Sequence, residues 1–337
     1  EANNGVNDSG VCPNCEVMEL RVGESFVAEA NRFAEAVLYG TDRGANIVQE
    51  ALGTYNDPVL AREAIDYAYY HGVTVIASAA DEAAEHHNQP GAFPHTIVVN
   101  AVRGPETILH PEGSEHPSIN TAQPPSWLQL DGCTNFGTRV DLSVEGNSCS
   151  SEATGKSSGV TGLIYSAALN ACGAGLYGSC SPSAKLKPAG DCTRVNGEPC
   201  VITPDEVQQL LASGNIAGTT ADGSSQLGGK APSAGNTSAD EGAGGQADDV
   251  NTALSPEAAC SVGMAPSCTD PNLNTTFAAD ENGGVVGPLP DTVRYPSRKG
   301  FDEFFGFGRL DAYKAVAAAS QGWVPPEADI TSPEWFD

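Results

Sequence analysis

Three β-branched runs, Ile47-Val48-Gln49-Glu50-Ala51-Leu52, Val73-Thr74-Val75-Ile76-Ala77-Ser78 and Thr96-Ile97-Val98-Val99-Asn100-Ala101-Val102, constrain this chain more than any other feature. Helical patterns precede and separate them. Val27, Ala30, Phe33, Ala34, Val37 and Leu38 share one helix face, which Gly40 or Gly44 can end. Asp57-Pro58 reads as a helix start that Ala61, Ile65 and Ala68 continue to Gly72. Val17-Met18-Glu19-Leu20-Arg21-Val22 alternates at period two and predicts an earlier strand. Antiparallel neighbours can share a tight turn, whereas parallel ones need a helix-length crossover. The alternation therefore predicts an α/β domain: a parallel sheet with helices on both faces.

After residue 102 the pattern loosens. Residues 103–136 are mostly turn formers, and Val140-Asp141-Leu142-Ser143-Val144 predicts a short strand. A helix of small residues follows from about Ser151 to Leu169, suited to a buried central position where backbones approach closely. Thr203-Pro204-Asp205-Glu206 is a capping box opening a helix with Val207, Leu210 and Leu211. Residues 217–255 carry hardly a large apolar side chain, so they cannot offset the entropy of ordering and are expected to be flexible. A last helix falls within Gly300–Ala319. The domain is expected over residues 1–322, with 170–202 and 212–299 as loop-rich insertions and 323–337 as a linker or the start of a further segment.

Sixteen Lys and Arg against 43 Asp and Glu leave a formal charge of −27, which repels phosphate backbones and anionic lipid heads. Nucleic-acid partners are not expected. No apolar run approaches a membrane helix, so membrane insertion is not expected either. Glu1-Ala2-Asn3-Asn4-Gly5 lacks a signal-peptide pattern, so the chain reads as mature or as lacking its beginning. The ten Cys include three pairs, Cys172/Cys180, Cys192/Cys200 and Cys260/Cys268, each bracketing seven residues rich in Gly, Pro or Ser. Disulfides close such loops, which predicts an oxidising compartment, extracellular or periplasmic. Cys12-Pro13-Asn14-Cys15 has no second Cys-x-x-Cys to complete a zinc site, so a local disulfide or free thiols is the plainer reading. Cys133 and Cys149 would then pair across the remaining gap.

Several segments, in order, resemble the subtilisin-like serine peptidases. Gly10-Val11-Cys12-Pro13-Asn14-Cys15-Glu16-Val17-Met18 is similar to the family's "GVAPNAKLM", with Cys in place of two Ala. Ile47 to Gly53 resembles "VINMSLG", Gly72 to Ala80 "GVVVVAAAG", and Phe93 to Val102 "YPAVIAVGAV". Asn135 to Gly146 resembles "SNYGPxVDLVAPG", and Gly306 to Val316 "GYGRVNAYKAV". The resemblance implies a parallel subtilisin-like sheet of about seven strands, here with disulfide-stapled insertions and without the N-terminal part.

Fold does not settle chemistry. The family's hydrolysis requires a Ser nucleophile, a His that takes its proton, an Asp that orients the His, and donors to the oxyanion, one an Asn side chain. The family's Asp and His motifs lie upstream of "GVAPNA", where this chain has nine residues, and no His-Gly-Thr occurs. Asp8-Ser9-Gly10 follows a polar stretch and reads as an exposed Asx turn. The oxyanion Asn aligns with Asp81, which as a carboxylate has no donor. Counting back from Val160-Thr161-Gly162 puts Thr154 at the Ser position. Ser148, in Gly146-Asn147-Ser148-Cys149-Ser150, copies the Gly-x-Ser shape twelve residues before Val160. Small polar packing in a helix explains both without chemistry.

His86 and His87 follow Asp81 and Glu82 beyond a strand's carboxyl end, where open α/β sheets bind ligands, but solvated loop residues fit them as well. Asp270, Asn272 and Asn274 with Glu281 have a calcium-loop spacing, although Thr275 stands where Gly is needed. No cofactor is required, and calcium is compatible on the resemblance. The expected function is a secreted, catalytically degenerate subtilisin-like domain acting as a binding or structural scaffold, whose Leu52-Gly53 edge pairs with an extended peptide or protein segment. The alternative is the large fragment of a nicked endopeptidase whose Asp and His lie on a bound upstream fragment of the same precursor. A subtilase body without that fragment would leave a wide apolar sheet face open.

Overall fold

In the computed structural model the three β-branched runs become adjacent strands of one sheet. The structure describes residues 10–24, 29–82, 84–103, 129–130, 134–146, 149–175, 192–213, 278–279, 285–286, 303, 305–308, 310 and 312–322. Their order is α1 (Ala30–Asp42), β1 (Ile47–Glu50), α2 (Val59–Tyr70), β2 (Thr74–Ser78), β3 (Thr96–Arg103), β4 (Gln129–Leu130), β5 (Leu142–Glu145), α3 (Cys149–Gly173), α4 (Pro204–Ser213), β6 (Ala278–Ala279), β7 (Val285–Val286) and α5 (Ala312–Ser320). Strands β1, β2, β3 and β5 lie side by side and parallel, with Ile47 opposite Thr74, Val75 opposite Thr96 and Val99 opposite Leu142. β4 pairs antiparallel with the end of β3, and β6 with β7 forms a separate two-stranded ladder. The expected parallel sheet is observed, with four parallel strands among the described residues, but of the crossovers only that from β1 to β2, through α2, is helical there; the described residues between β2 and β3 form no helix.

Alternation along the strands divides the core. Val75 joins Phe33, Ala34 and Val37 of α1 and Ala61, Ile65 and Ala68 of α2 on one face. Ile76, Ile97, Val99, Leu142 and Val144 meet α3, α4 and α5 on the other, through Val160, Ile164, Val207, Leu211, Ala315 and Ala318. Gly72, at φ +73°, ends α2 in a left-handed conformation that L side chains rarely adopt. Small residues let α3 run close to its neighbours. A Cβ on Gly159 would stand 2.6 Å from Cβ of Val11, and one on Gly162 would stand 2.6 Å from Cys15 Sγ.

Some expectations need correction. Val17–Val22 is extended but pairs with no strand among the described residues, and Val17 is 83% exposed. Alternation supplies a face, but a strand also needs an adjacent backbone to share its hydrogen bonds. Asp57 does not cap α2: Pro58 is the N-cap, and the Asp57 carboxylate accepts from Arg62 at 2.6 and 2.7 Å. The last helix begins only at Ala312. The small-residue helix starts earlier than expected, at Cys149. The capping box forms as expected: the Glu206 amide donates to Thr203 Oγ1 (3.2 Å), and Glu206 Oε2 accepts from the Thr203 amide (2.8 Å).

Cys12–Cys15 and Cys192–Cys200 are disulfides, and no described cysteine is free. Cys149 and Cys172, near opposite ends of α3, each take part in a separate disulfide. Cys133, Cys180, Cys260 and Cys268 lie outside the described residues, as do the expected flexible segment 217–255 and the segment 323–337.

Candidate active site

The carboxyl ends of parallel strands converge on one edge of the sheet, where ligands bind in open α/β folds. β1 delivers Glu50 there, β2 delivers Ser78 and then Asp81, and the first turn of α3 brings Ser150 against them. Ser150 is fully buried and its hydroxyl donates to Asp81 Oδ1 at 2.6 Å. Its amide donates to the same oxygen at 3.0 Å, so Asp81 serves as an external cap for the positive end of α3. Ser78 hydrogen-bonds the Ser150 hydroxyl, and Ser78 Oγ accepts the Ala80 amide at 3.0 Å. When Ser78 donates to Ser150, the single Ser150 hydrogen points to the carboxylate, the nearer of its two acceptors; the other is the Ala80 carbonyl at 3.1 Å. Ala80 (φ +74°) and Cys149 (φ +42°) hold the two sides of this junction in left-handed conformations.

Beside it lies an acidic knot. Glu82 accepts from Tyr55 (3.0 Å), Asn88 (2.8 Å) and Asn135 (2.5 Å). Partial burial opposes its ionisation, but these donors outweigh that and hold the carboxyl below its usual range. Asn135, fully buried, also accepts the Glu82 and Ala84 amides and so ties the loop after β2 to the approach to β5. Thr54 and Gln89 exchange backbone hydrogen bonds at 2.9 and 3.0 Å, closing the wall that begins at Leu52-Gly53. A Cβ on Gly53 would stand 3.1 Å from Asn88 Nδ2.

Glu50 is the most perturbed acid of the site. Burial pushes its carboxyl up to about 8, although the Leu52 amide, donating to Oε2 at 2.7 Å, and the Ser78 amide both act to lower it. Among the described residues its Oε1 has no hydrogen-bond partner of good geometry.

The residues singled out in the sequence fare differently. Asp81 is at the centre. Thr154 lies a turn further into α3, buried, and its hydroxyl donates to the Ser150 carbonyl at 2.7 Å. Ser148 lies outside the described residues, as do Asp270, Asn272, Asn274 and Glu281. No cluster able to hold a metal occurs among the described residues. His87 accepts the Arg139 amide at 3.3 Å, and burial beside that guanidinium lowers its pKa to about 4. His86 faces Tyr55, His95 bonds Asp66, and His71 bonds the Tyr67 carbonyl. None of these four imidazoles is bonded to Ser150. Ser150, Ser78 and Glu50 were not foreseen as site residues. The one sequence signal for Ser150 is its place just after Ser148-Cys149, where a helix N-terminus would meet the end of a strand.

A family model described as the subtilase family matches residues 1–185. The thermophilic serine proteinase of Bacillus sp. (strain AK1) is 24% identical over 156 residues, covering 46% of this chain and 33% of that protein. Thermitase of Thermoactinomyces vulgaris is 25% identical over 167 residues, covering 49% of this chain and 56% of its own. The chain thus spans a third to just over half of these relatives. Among solved structures, a lanthipeptide protease aligns with a TM-score of 0.43 and 11% identity over 88% of this chain and 68% of its own.

Proposed function

The chain belongs to the subtilase family, and on that premise we propose that it is a catalytically degenerate subtilisin-like domain that binds extended polypeptide without hydrolysing it. The observation that carries this reading is the Ser150 hydroxyl, fully buried and held by the Asp81 carboxylate instead of an imidazole. A carboxylate at the oxyanion position repels the charge that acyl transfer develops. In this reading Ser150 takes the nucleophile's place in the fold, ahead of Thr154 and Ser148, and Leu52-Gly53 forms the edge on which an extended chain lies. The Cys12–Cys15 and Cys192–Cys200 disulfides support secretion into an oxidising compartment.

An alkyl fluorophosphonate tests the proposal, since it labels hydroxyls activated by a neighbouring base. The expected result is no adduct on the purified chain and no cleavage of a mixed peptide library. An adduct on Ser150 that disappears in Asp81→Asn would overturn it.

A second reading is favoured by the placement of Ser150 in the first turn of α3, at the edge where the strands' carboxyl ends meet. Here the chain is the nucleophile-bearing part of a peptidase whose Asp and His come from a separately held segment of the same precursor. Intact-mass analysis of native material that finds no second polypeptide would remove this reading.

A further inference from the structure

Two anchors hold residues 10–22 to the rest of the fold. Near the end of the segment, Leu20 rests against Gly40 of α1, Val22 is buried with α1 and α2, and the Val22 carbonyl accepts the Glu29 amide at 3.1 Å. At its start, Val11 and the Cys12–Cys15 disulfide rest on Gly159 and Gly162 of α3, which packs on the opposite face of the sheet. The disulfide closes a β-turn with Pro13 and Asn14 at its centre, and the Cys15 amide donates to the Cys12 carbonyl at 3.0 Å. Neither reading of the function needs this bridge.

A thiolate opens a disulfide by attacking one of its sulfurs, so access decides which bridge reacts. Cys15 is exposed and Cys12 half-buried, whereas Cys200, in the bridge that packs against Gly72, is only 2% exposed. The turn also favours closing again. Its hydrogen bond and Pro13 keep the two Cα atoms, 5.4 Å apart, within bridging distance when the sulfurs are no longer bonded. Opening changes the size of the pair: bonded sulfurs sit about 2.05 Å apart, whereas non-bonded heavy atoms stand roughly 3.5–4.0 Å apart. The seat on α3 is close, since a Cβ on Gly162 would stand 2.6 Å from Cys15 Sγ and 2.9 Å from Cys12 Sγ. Glu16 follows Cys15 and the chain carries −27, so anionic thiols are repelled and an uncharged one is favoured.

We propose that Cys12–Cys15 is a reversible thiol-exchange site, a clasp that fastens residues 10–15 to α3 when oxidised and lifts from Gly162 when an uncharged dithiol reduces it. One thiolate of the dithiol attacks Cys15 Sγ, the bond between Cys12 and Cys15 breaks, and Cys12 leaves as a thiolate. The second thiolate of the dithiol then attacks its own partner sulfur in the mixed disulfide and releases Cys15. Two electrons pass from the dithiol, which ends as a disulfide, to the protein, and the two protons that the dithiol gives up end on Cys12 and Cys15. The site goes beyond the function proposed above, since it requires neither hydrolysis nor a bound polypeptide.

The probe is dithiothreitol, added to the whole folded chain, with iodoacetamide as the quench and peptide mass mapping to follow each cysteine. Cys12 and Cys15 are expected to be alkylated at least about tenfold faster than Cys192 and Cys200, and the two rates should converge in unfolding urea, where access is equal. Equal rates in the folded chain, or earlier opening of Cys192–Cys200, would overturn the proposal. Amide hydrogen exchange at residues 11–22 is read alongside; it should quicken on reduction and recover when oxidised dithiothreitol restores the bridge. Unchanged exchange after full reduction would sink the clasp. So would loss of protection throughout residues 74–78 and 96–103, which would make the bridge a support of the whole fold. Because dithiothreitol opens other bridges too, the double variant Cys12→Ser, Cys15→Ser, with those intact, must reproduce the faster exchange at 11–22; exchange equal to that of the oxidised chain would count against the clasp.

Discussion

Asp81 Oδ1 accepts both the amide of Ser150 at 3.0 Å and its hydroxyl at 2.6 Å, so one carboxylate oxygen fastens the loop after β2 to the start of α3. The geometry is that of a cap supplied from a distant part of the chain. Asp81→Ala is expected to cost about 1 kcal/mol, as loss of a side-chain cap does, and to produce no hydrolysis. Urea unfolding combined with fluorophosphonate labelling checks both.

Glu50 should make the protein less stable as pH rises. Its folded pKa, pushed up to about 8 by burial, lies above its ordinary 4.5. The folded state therefore keeps a proton that the unfolded chain releases. The stability this provides is complete below 4.5 and is lost as pH climbs through 8, a change on the order of a few kcal/mol. His87, lowered to about 4 from 6.5, works in the opposite sense but only below its ordinary value. Glu50→Gln should therefore overtake the wild type in denaturant midpoint between pH 6.5 and 8.5. Parallel curves over that range would show that the acid titrates normally.

Two glycines of α3 should respond oppositely to alanine. A Cβ at Gly155 meets nothing within 4 Å, so Gly155→Ala is expected to stabilise by up to about 1 kcal/mol through helix propensity alone. At Gly162 the added carbon would stand 2.6 Å from Cys15 Sγ and 2.9 Å from Cys12 Sγ. Overpacking there should outweigh propensity and destabilise by about 1–2 kcal/mol. Thermal midpoints of the two variants, measured together, decide the matter.

Tyr165 bridges α3 to the start of β2: its hydroxyl donates to the Gly72 carbonyl at 3.0 Å and accepts from Thr74 Oγ1 at 3.0 Å. Burial drives its pKa up to about 12. Tyr165→Phe leaves both partners buried and unsatisfied, so a loss of about 1–3 kcal/mol is expected in denaturant titration.

How far the sequence could be read follows from which properties are local. The strands around Val75, Val98 and Leu142 were legible because β-branched runs between helical patterns leave little choice of sheet type. The Thr203–Glu206 capping box was legible because its partners are three residues apart. Ser150 was not, because its role depends on where α3 begins: aligning backward from Val160 assumes the start, and the helix instead opens at Cys149. Glu50 was hidden inside a run read for its apolar neighbours, and periodicity does not report a missing hydrogen-bond partner. Asn135 holds a loop more than fifty residues earlier in the chain, a relationship that no local pattern contains.

The negative charge of −27 has a further consequence for a protein with an open sheet edge. Mutual repulsion between copies is long-ranged in dilute buffer, but at 1 M salt the screening length shrinks to about 3 Å. The electrostatic barrier between copies then disappears, and the exposed Val17, Met18 and Leu20 of neighbouring molecules can meet. The molecule's tolerance of concentrated brine is thereby tied to how much of that apolar surface stays covered.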